Sequence, residues 1–137
     1  MSISDFYSTS VKSTHLDMFG HVNNSVYLEY FEWARWDWAN KNNSGFEDFL
    51  KAGIGVAAVR VEIDYLHELN HYDEVIISTF CSRKGKKSFT FTQKMMTGNN
   101  MCAIAHTTLV FINIHTRKAI DIPDSFALIL ENSIEVK

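Results

Sequence analysis

The sequence predicts an α+β fold in which one antiparallel sheet wraps around one long central helix. Two observations carry that expectation. Residues 25–40 read as a helix that is apolar nearly all round: Val26, Tyr27, Leu28, Tyr30, Phe31, Trp33, Ala34 and Trp38 leave a narrow polar stripe through Ser25, Glu29, Glu32 and Asn40. A helix with so little polar surface is buried on most sides, which a surrounding sheet satisfies and a surface position does not. The second half of the chain then reads as strand after strand, separated by polar turns.

Taken in order, residues 6–16 read as a first strand, with Tyr7, Thr9, Val11 and Ser13 alternating against Ser8, Ser10, Lys12 and Thr14. Asp17 then lies at its end. Asn23, Asn24 and Ser25 are all good N-cap types, and the cap falls at Asn23 or Asn24. Phe31, Trp33 and Trp38 are expected in the core, whereas the place of Tyr27 in the first helical turn puts it near the preceding loop. Residues 40–44 form a polar turn. Residues 46–52 form a short helix with Phe46, Phe49 and Leu50 on one face, stopped at Gly53. Residues 57–66 alternate Val59, Val61, Ile63 and Tyr65 against Arg60, Glu62 and Asp64. A strand over 74–82 carries Val75, Ile77 and Phe80, and residues 83–87 make a hairpin centred on Gly85. Residues 88–96 alternate Phe89, Phe91 and Met95 with Ser88, Thr90, Thr92 and Lys94, and 98–100 is a second hairpin turn. Residues 101–114 are apolar on both faces, as in a central strand. A short amphipathic helix over 123–131 begins at Pro123. The last four strands are expected as a meander.

The 137 residues suit one domain with a real core. The formal charge of −3 gives no general pull towards nucleic acid or an anionic membrane. Cys81 and Cys102 have no metal-type spacing and fall in strands, so they read as small buried hydrophobes with free thiols. The six histidines (15, 21, 67, 71, 106 and 115) show no zinc-like spacing, so no metal is expected, nor any cofactor. His106, in mid-strand, is expected as a satisfied core or interface residue. There is no nucleophile elbow and no phosphate-binding glycine loop. No apolar signal region and no membrane-spanning run are present, so a cytoplasmic protein without stable membrane insertion is expected.

The chemistry concentrates in Asp17-Met18-Phe19-Gly20-His21-Val22-Asn23-Asn24. A helix N-terminus offers free N–H donors and a partial positive charge. Gly20 lets the backbone take a positive φ or approach a ligand closely. With the Asp17 carboxylate just upstream, one loop brings a base or nucleophile beside donors for a developing oxyanion. Asp-x-x-Gly is also an ordinary turn, and Asn-Asn-Ser an ordinary helix start. On chemistry alone, turn-and-cap is the commoner reading.

The same run, followed by Tyr27-Leu28 and by Phe31-Glu32-x-Ala34-Arg35, resembles the signature of the hotdog-fold acyl-CoA thioesterases of the 4-hydroxybenzoyl-CoA thioesterase superfamily. Ala34-Arg35-Trp36-Asp37 is similar to the long-chain acyl-CoA thioesterase branch. The resemblance implies a hotdog fold, hydrolysis of acyl-CoA to free acid and coenzyme A, and a homodimer, or a tetramer of two dimers, with active sites at the dimer interface.

On that resemblance Asp17 is the catalytic acid, acting as general base or as nucleophile. The oxyanion role falls to backbone N–H groups among Gly20, His21, Val22 and Asn23, with Val22 the first choice. His21 either orients water or substrate, or holds the loop rigid; support is the commoner role. Asn23 caps the helix, with some influence on catalysis. Tyr27 is a candidate substrate wall. Arg83, Lys84, Lys86 and Lys87, with Ser88 beside them, are either a solvated turn or a clamp for the phosphates of coenzyme A. Glu32 and Arg35 are spaced to pair on the helix surface. Tyr27, Phe31, Phe46, Phe49 and Tyr65 are expected to wall the acyl tunnel. A fatty acyl chain is favoured over an aromatic group, because position 19 is Phe where the hydroxybenzoyl-type members carry a second acid. The alternatives are an acyl-carrier-protein thioesterase and a non-catalytic acyl-CoA sensor.

Overall fold

The computed structural model describes residues 6–42 and 45–133. Five strands, β1 (Phe6–Ser10), β2 (Ile54–Tyr65), β3 (Glu74–Lys84), β4 (Ser88–Thr97) and β5 (Asn100–Asn113), form one antiparallel sheet in the order β1-β3-β4-β5-β2. Helix α1 (Asn24–Lys41) packs on one face of it, with α2 (Phe46–Lys51) and α3 (Asp124–Ser133) at the end where α1 finishes. This is the expected α+β layout, an antiparallel sheet around a long helix. The expected polar turn over 40–44 is shortened by the helix, which runs on to Lys41; its residues 43 and 44 lie outside the described residues.

Two expectations about the strands are corrected. The last four strands are not all a meander: β3, β4 and β5 follow one another through tight turns, but β2 pairs with β5 and not with β3. The reason is the connection. The turns at 85–87 and 98–99 leave room only for neighbours, whereas eight residues join β2 to β3 and cross the end of the sheet. Leu69, fully buried, anchors that crossing. The first strand is also shorter than expected. It stops at Ser10, and Ser13–His15 form a 3-10 turn, so Asp17 sits in a separate loop.

The side chains of α1 explain its position. Tyr27, Tyr30, Phe31, Ala34 and Trp38 recur at helical spacing and are buried against the sheet. The expectation that the helix is buried on most sides is corrected, however. Leu28, Trp33 and Trp36 lie exposed on its outer face, because one sheet covers only one side of it. Two cores result. The first gathers Tyr27, Tyr30 and Phe31 with Val75, Ile77 and Met95, beneath the N-terminal half of α1. The second gathers Trp38, Phe89, Phe91, Phe111 and Phe126 at its C-terminal half. Trp38 stacks edge-on to Phe91 with ring centroids 4.8 Å apart.

Both cysteines are buried and free, and burial pushes each thiol up from its ordinary pKa. His106 is satisfied but is not a core residue. It is exposed on the outer face of β5, where its Nδ1 lies 2.8 Å from Thr92 Oγ1. No described helix is long and apolar enough to cross a membrane.

Candidate active site

The loop that carries Asp17 is a miniature hairpin. Leu16 and Val22 bridge antiparallel, Asp17 N–H donates to His21 O at 2.8 Å, and Gly20 N–H donates to Asp17 O at 3.1 Å. Gly20 takes φ +81° to close it. A Cβ there would meet nothing within 4 Å, so the glycine is required by backbone conformation and not by space. The tip presents Met18, 90% exposed, and Phe19, 78% exposed.

Asp17 is partly buried and divides its carboxylate. Oδ1 accepts the Phe19 N–H at 2.9 Å and, more weakly, the His21 N–H at 3.4 Å. Oδ2 accepts no hydrogen bond from any described residue. One oxygen therefore holds the turn and the other is available to a ligand.

The hairpin is fastened on both flanks. His21 Nε2 lies 3.0 Å from Glu68 Oε2, and His21 bridges Asn70, so this histidine ties the loop to the β2–β3 crossing. On the other flank, His15 Nδ1 accepts the Lys12 N–H at 3.3 Å. That nitrogen therefore carries a lone pair, and the Tyr30 hydroxyl 2.8 Å away donates to it. Burial pushes the Tyr30 hydroxyl up to about 12.

The expected oxyanion donors are mostly spent. Gly20 N–H is used inside the turn, Val22 N–H donates to Leu69 O at 3.1 Å, and Asn23 N–H donates to His15 O at 3.0 Å. Val22, the first choice, is thus corrected: the strand-like pairing that fastens the loop consumes its donor. Asn23 caps α1 through its side chain, accepting Ser25 N–H at 3.0 Å and Ser25 Oγ at 2.9 Å. The Asn24 amide, at the positive end of the helix, has no partner among the described residues; nor has that of Met18 at the exposed tip of the loop.

Tyr27 is a core residue in this chain. It is buried, its hydroxyl makes a long 3.4 Å bond to His67 O, and its ring sits edge-on to Tyr65. Burial raises its pKa, outweighing an opposing backbone contact at Leu69.

The basic turn is not brought to Asp17 within one chain. Ser10 pairs with Glu74 at the Asp17 end of β3, and Lys84 is ten residues further on, about 33 Å along the strand. Its cations are also occupied. Arg83 Nη2 donates to Ser88 Oγ at 2.9 Å, Lys84 faces Glu131 at 3.5 Å, Lys86 faces Asp121 at 3.8 Å, and Lys87 reaches Ala119 O at 3.5 Å.

Further along α1 lies a cleft of about 180 Å³, walled by Glu32, Arg35, Trp36, Trp38 and Phe46 on the helical side and by Phe89 and Phe91 from the sheet. Of the expected tunnel walls only Phe46 lines it. Phe31 is instead fully buried core. Arg35 does not form the expected ion pair with Glu32, which lies beyond 4.0 Å; its Nη1 donates to Gln93 Oε1 at 3.2 Å. Gln93 is held in turn by Phe31 O at 2.9 Å and Thr79 Oγ1 at 3.0 Å. The spacing Phe31, Arg35, Trp38 places Arg35 on the buried stripe of the helix, a signal present in the sequence. Among the described residues no cluster is suited to a metal ion.

The architecture is that of the hotdog fold, with a carboxylate in the loop leading into its long helix. The chain belongs to the thioesterase-like superfamily, whose family model matches residues 11–130. It is 29% identical over 127 residues to the long-chain acyl-CoA thioesterase FadM of Escherichia coli, covering 91% of this chain and 96% of that one. Among solved structures, the probable thioesterase YbaW of Escherichia coli is 28% identical with a TM-score of 0.78, covering 95% of this chain and 98% of that one. Slr0204 of Synechocystis, a 1,4-dihydroxy-2-naphthoyl-CoA thioesterase, has a TM-score of 0.86 at 17% identity, covering 93% and 95%, and supports the fold alone.

Proposed function

We propose that this chain hydrolyses the thioester of medium- to long-chain fatty acyl-CoA, with Asp17 as general base or nucleophile. The observation that carries the proposal is the divided carboxylate: one oxygen holds the turn and the other is unengaged, in the loop that leads to the unpaired Asn24 amide. As a base, Oδ2 takes a proton from water as the oxygen adds to the carbonyl carbon. The oxyanion forms against the Asn24 N–H and the helix terminus. Collapse expels the thiolate of coenzyme A, which takes the proton back. As a nucleophile, Oδ2 adds to the carbonyl carbon and the C–S bond breaks to expel the coenzyme A thiolate, leaving an acyl-aspartyl anhydride; water opens it to the free acid and the restored carboxylate, and its spare proton goes to the thiolate. Similarity to a long-chain acyl-CoA thioesterase along nearly the whole chain supports the fatty substrate.

The chain works as a homodimer in this proposal. The outer strand β2 has a free edge with Val59 and Val61 exposed, and α1 leaves Leu28, Trp33 and Trp36 uncovered. The basic turn, too far from Asp17 within one chain, reaches the coenzyme A phosphates from the second copy.

The test is thiol release from acyl-CoAs of graded chain length and from a benzoyl-type CoA. Turnover that rises with chain length supports the proposal. Tight binding with no thiol release would make the chain an acyl-CoA sensor, and turnover of acyl-carrier-protein thioesters alone would move it to that substrate class.

A further inference from the structure

The cleft along α1 is not a plain hydrocarbon slot. Its wall includes Trp38, which is 1% exposed and whose indole N–H has no hydrogen-bond partner among the described residues. Arg35 lines the same cleft, half-buried, and the one described hydrogen bond of its guanidinium goes to Gln93. Thr107, which pairs with the cleft residue Phe91 across β4 and β5, also has a buried hydroxyl without a partner. Buried donors are normally paired, because leaving one unmade costs its full desolvation. Burial pulls the Arg35 guanidinium below its ordinary pKa, and the exposed Glu32 carboxylate opposes that only in part. Glu32 is the one acidic side chain of the cleft wall and the other lining residues are apolar, so most of the guanidinium N–H groups of Arg35 face the cleft without a protein acceptor. A methyl-ended chain lying there would strip water from Arg35 and return no acceptor.

Eleven residues separate Arg35 from Asn24, about 17 Å of helix axis. The distance is that of the far end of a bound acyl group, not of its thioester. We propose that this cleft selects acyl groups bearing an oxygen acceptor, a carboxylate above all, at the end remote from the thioester, and that Arg35 reads it. A planar guanidinium suits a carboxylate in two-point contact, and its pairing with Gln93 fixes its direction. The proposal rests on the reading that the acyl group of a CoA thioester lies along α1.

Unreactive S-alkyl-CoA thioethers test it without catalysis. Matched pairs, with and without a terminal carboxylate, are titrated by calorimetry over a range of chain lengths. The carboxylated member should bind at least about tenfold tighter once the chain is long enough to reach Arg35. That advantage should vanish in Arg35→Gln and survive in part in Arg35→Lys. Glu32→Gln, an exposed change in the cleft wall, should widen it by removing a like charge. Equal binding of the pair in the wild type, or an advantage untouched by Arg35→Gln and by Glu32→Gln, would overturn the proposal. Thiol release from methyl-ended acyl-CoAs, measured beside it, separates the two readings. Turnover without a tail preference sinks only the proposal for the cleft, and a tail preference without turnover sinks only the thioesterase reading.

Discussion

Two turns of this molecule look alike on paper and differ in what they leave free. The turn at Asp17 and the turn at Gly85 are both tight, glycine-containing and charged. At Asp17 the backbone and one carboxylate oxygen close the loop, while the second oxygen stays unengaged. At Gly85 every described cation has found an acceptor: a serine, a carbonyl or the acids Glu131 and Asp121. Charge density therefore does not mark the turn proposed as reactive. What marks it is a functional atom left over after the turn has met its own hydrogen bonds, next to a helix terminus with an unmet donor.

The contrast can be broken first at Gly20. A β-branched residue is strained at φ +81°, so Gly20→Val should cost about 1–3 kcal/mol of stability. It should also cut kcat by more than tenfold, because the carboxylate is aimed by that turn. Thermal unfolding and steady-state kinetics check both; a variant with normal kcat would show that the turn geometry is not what aims Asp17. Next, Asn23→Ala removes the cap from Ser25 and should cost about 1 kcal/mol, with Asn23→Asp restoring it. A stability equal to wild type would mean that water caps the helix as well. At the basic turn the expected effects are smaller. Lys86→Ala should raise KM for acyl-CoA a fewfold with kcat unchanged, and Asp121→Asn should lower it, since that acid competes for the lysine. Opposite signs would return the turn to mere solvation. The last effect, seen only in alkali, lies behind the Asp17 loop. Tyr30 keeps its proton to about 12 in the folded chain, whereas an unfolded tyrosine ionises near 10. The contribution is complete below pH 10 and stability declines as pH rises from 10 to 12. In Tyr30→Phe that part of the decline should be absent from alkaline unfolding curves.

Much of this was legible in the residues. Alternation located β3, β4 and β5 closely, and the aromatic spacing along α1 placed its core stripe. The motif around Asp17 pointed to the loop that the fold presents. Other features lay outside the reach of local pattern. Whether β2 joins β3 or β5 depends on an eight-residue crossing with no periodicity of its own, held by Leu69. The loss of the Val22 donor depends on the same crossing, because Leu69 O accepts it from 47 residues away. The helix looked buried all round because composition does not say which of its apolar faces the sheet covers. Arg35 was readable from its i, i+4 relation to Phe31, but its partner Gln93 lies 58 residues on.

The central claim is that the unengaged oxygen of Asp17 does the chemistry. Asp17→Asn keeps Oδ1 as acceptor for the Phe19 N–H and so preserves the turn. Single-turnover thiol release from a long-chain acyl-CoA should fall by about 10²–10⁴-fold, while the affinity for the matched S-alkyl-CoA thioether stays within a factor of about two. Release at the wild-type rate, with binding intact, would contradict the account and move the chemistry off Asp17.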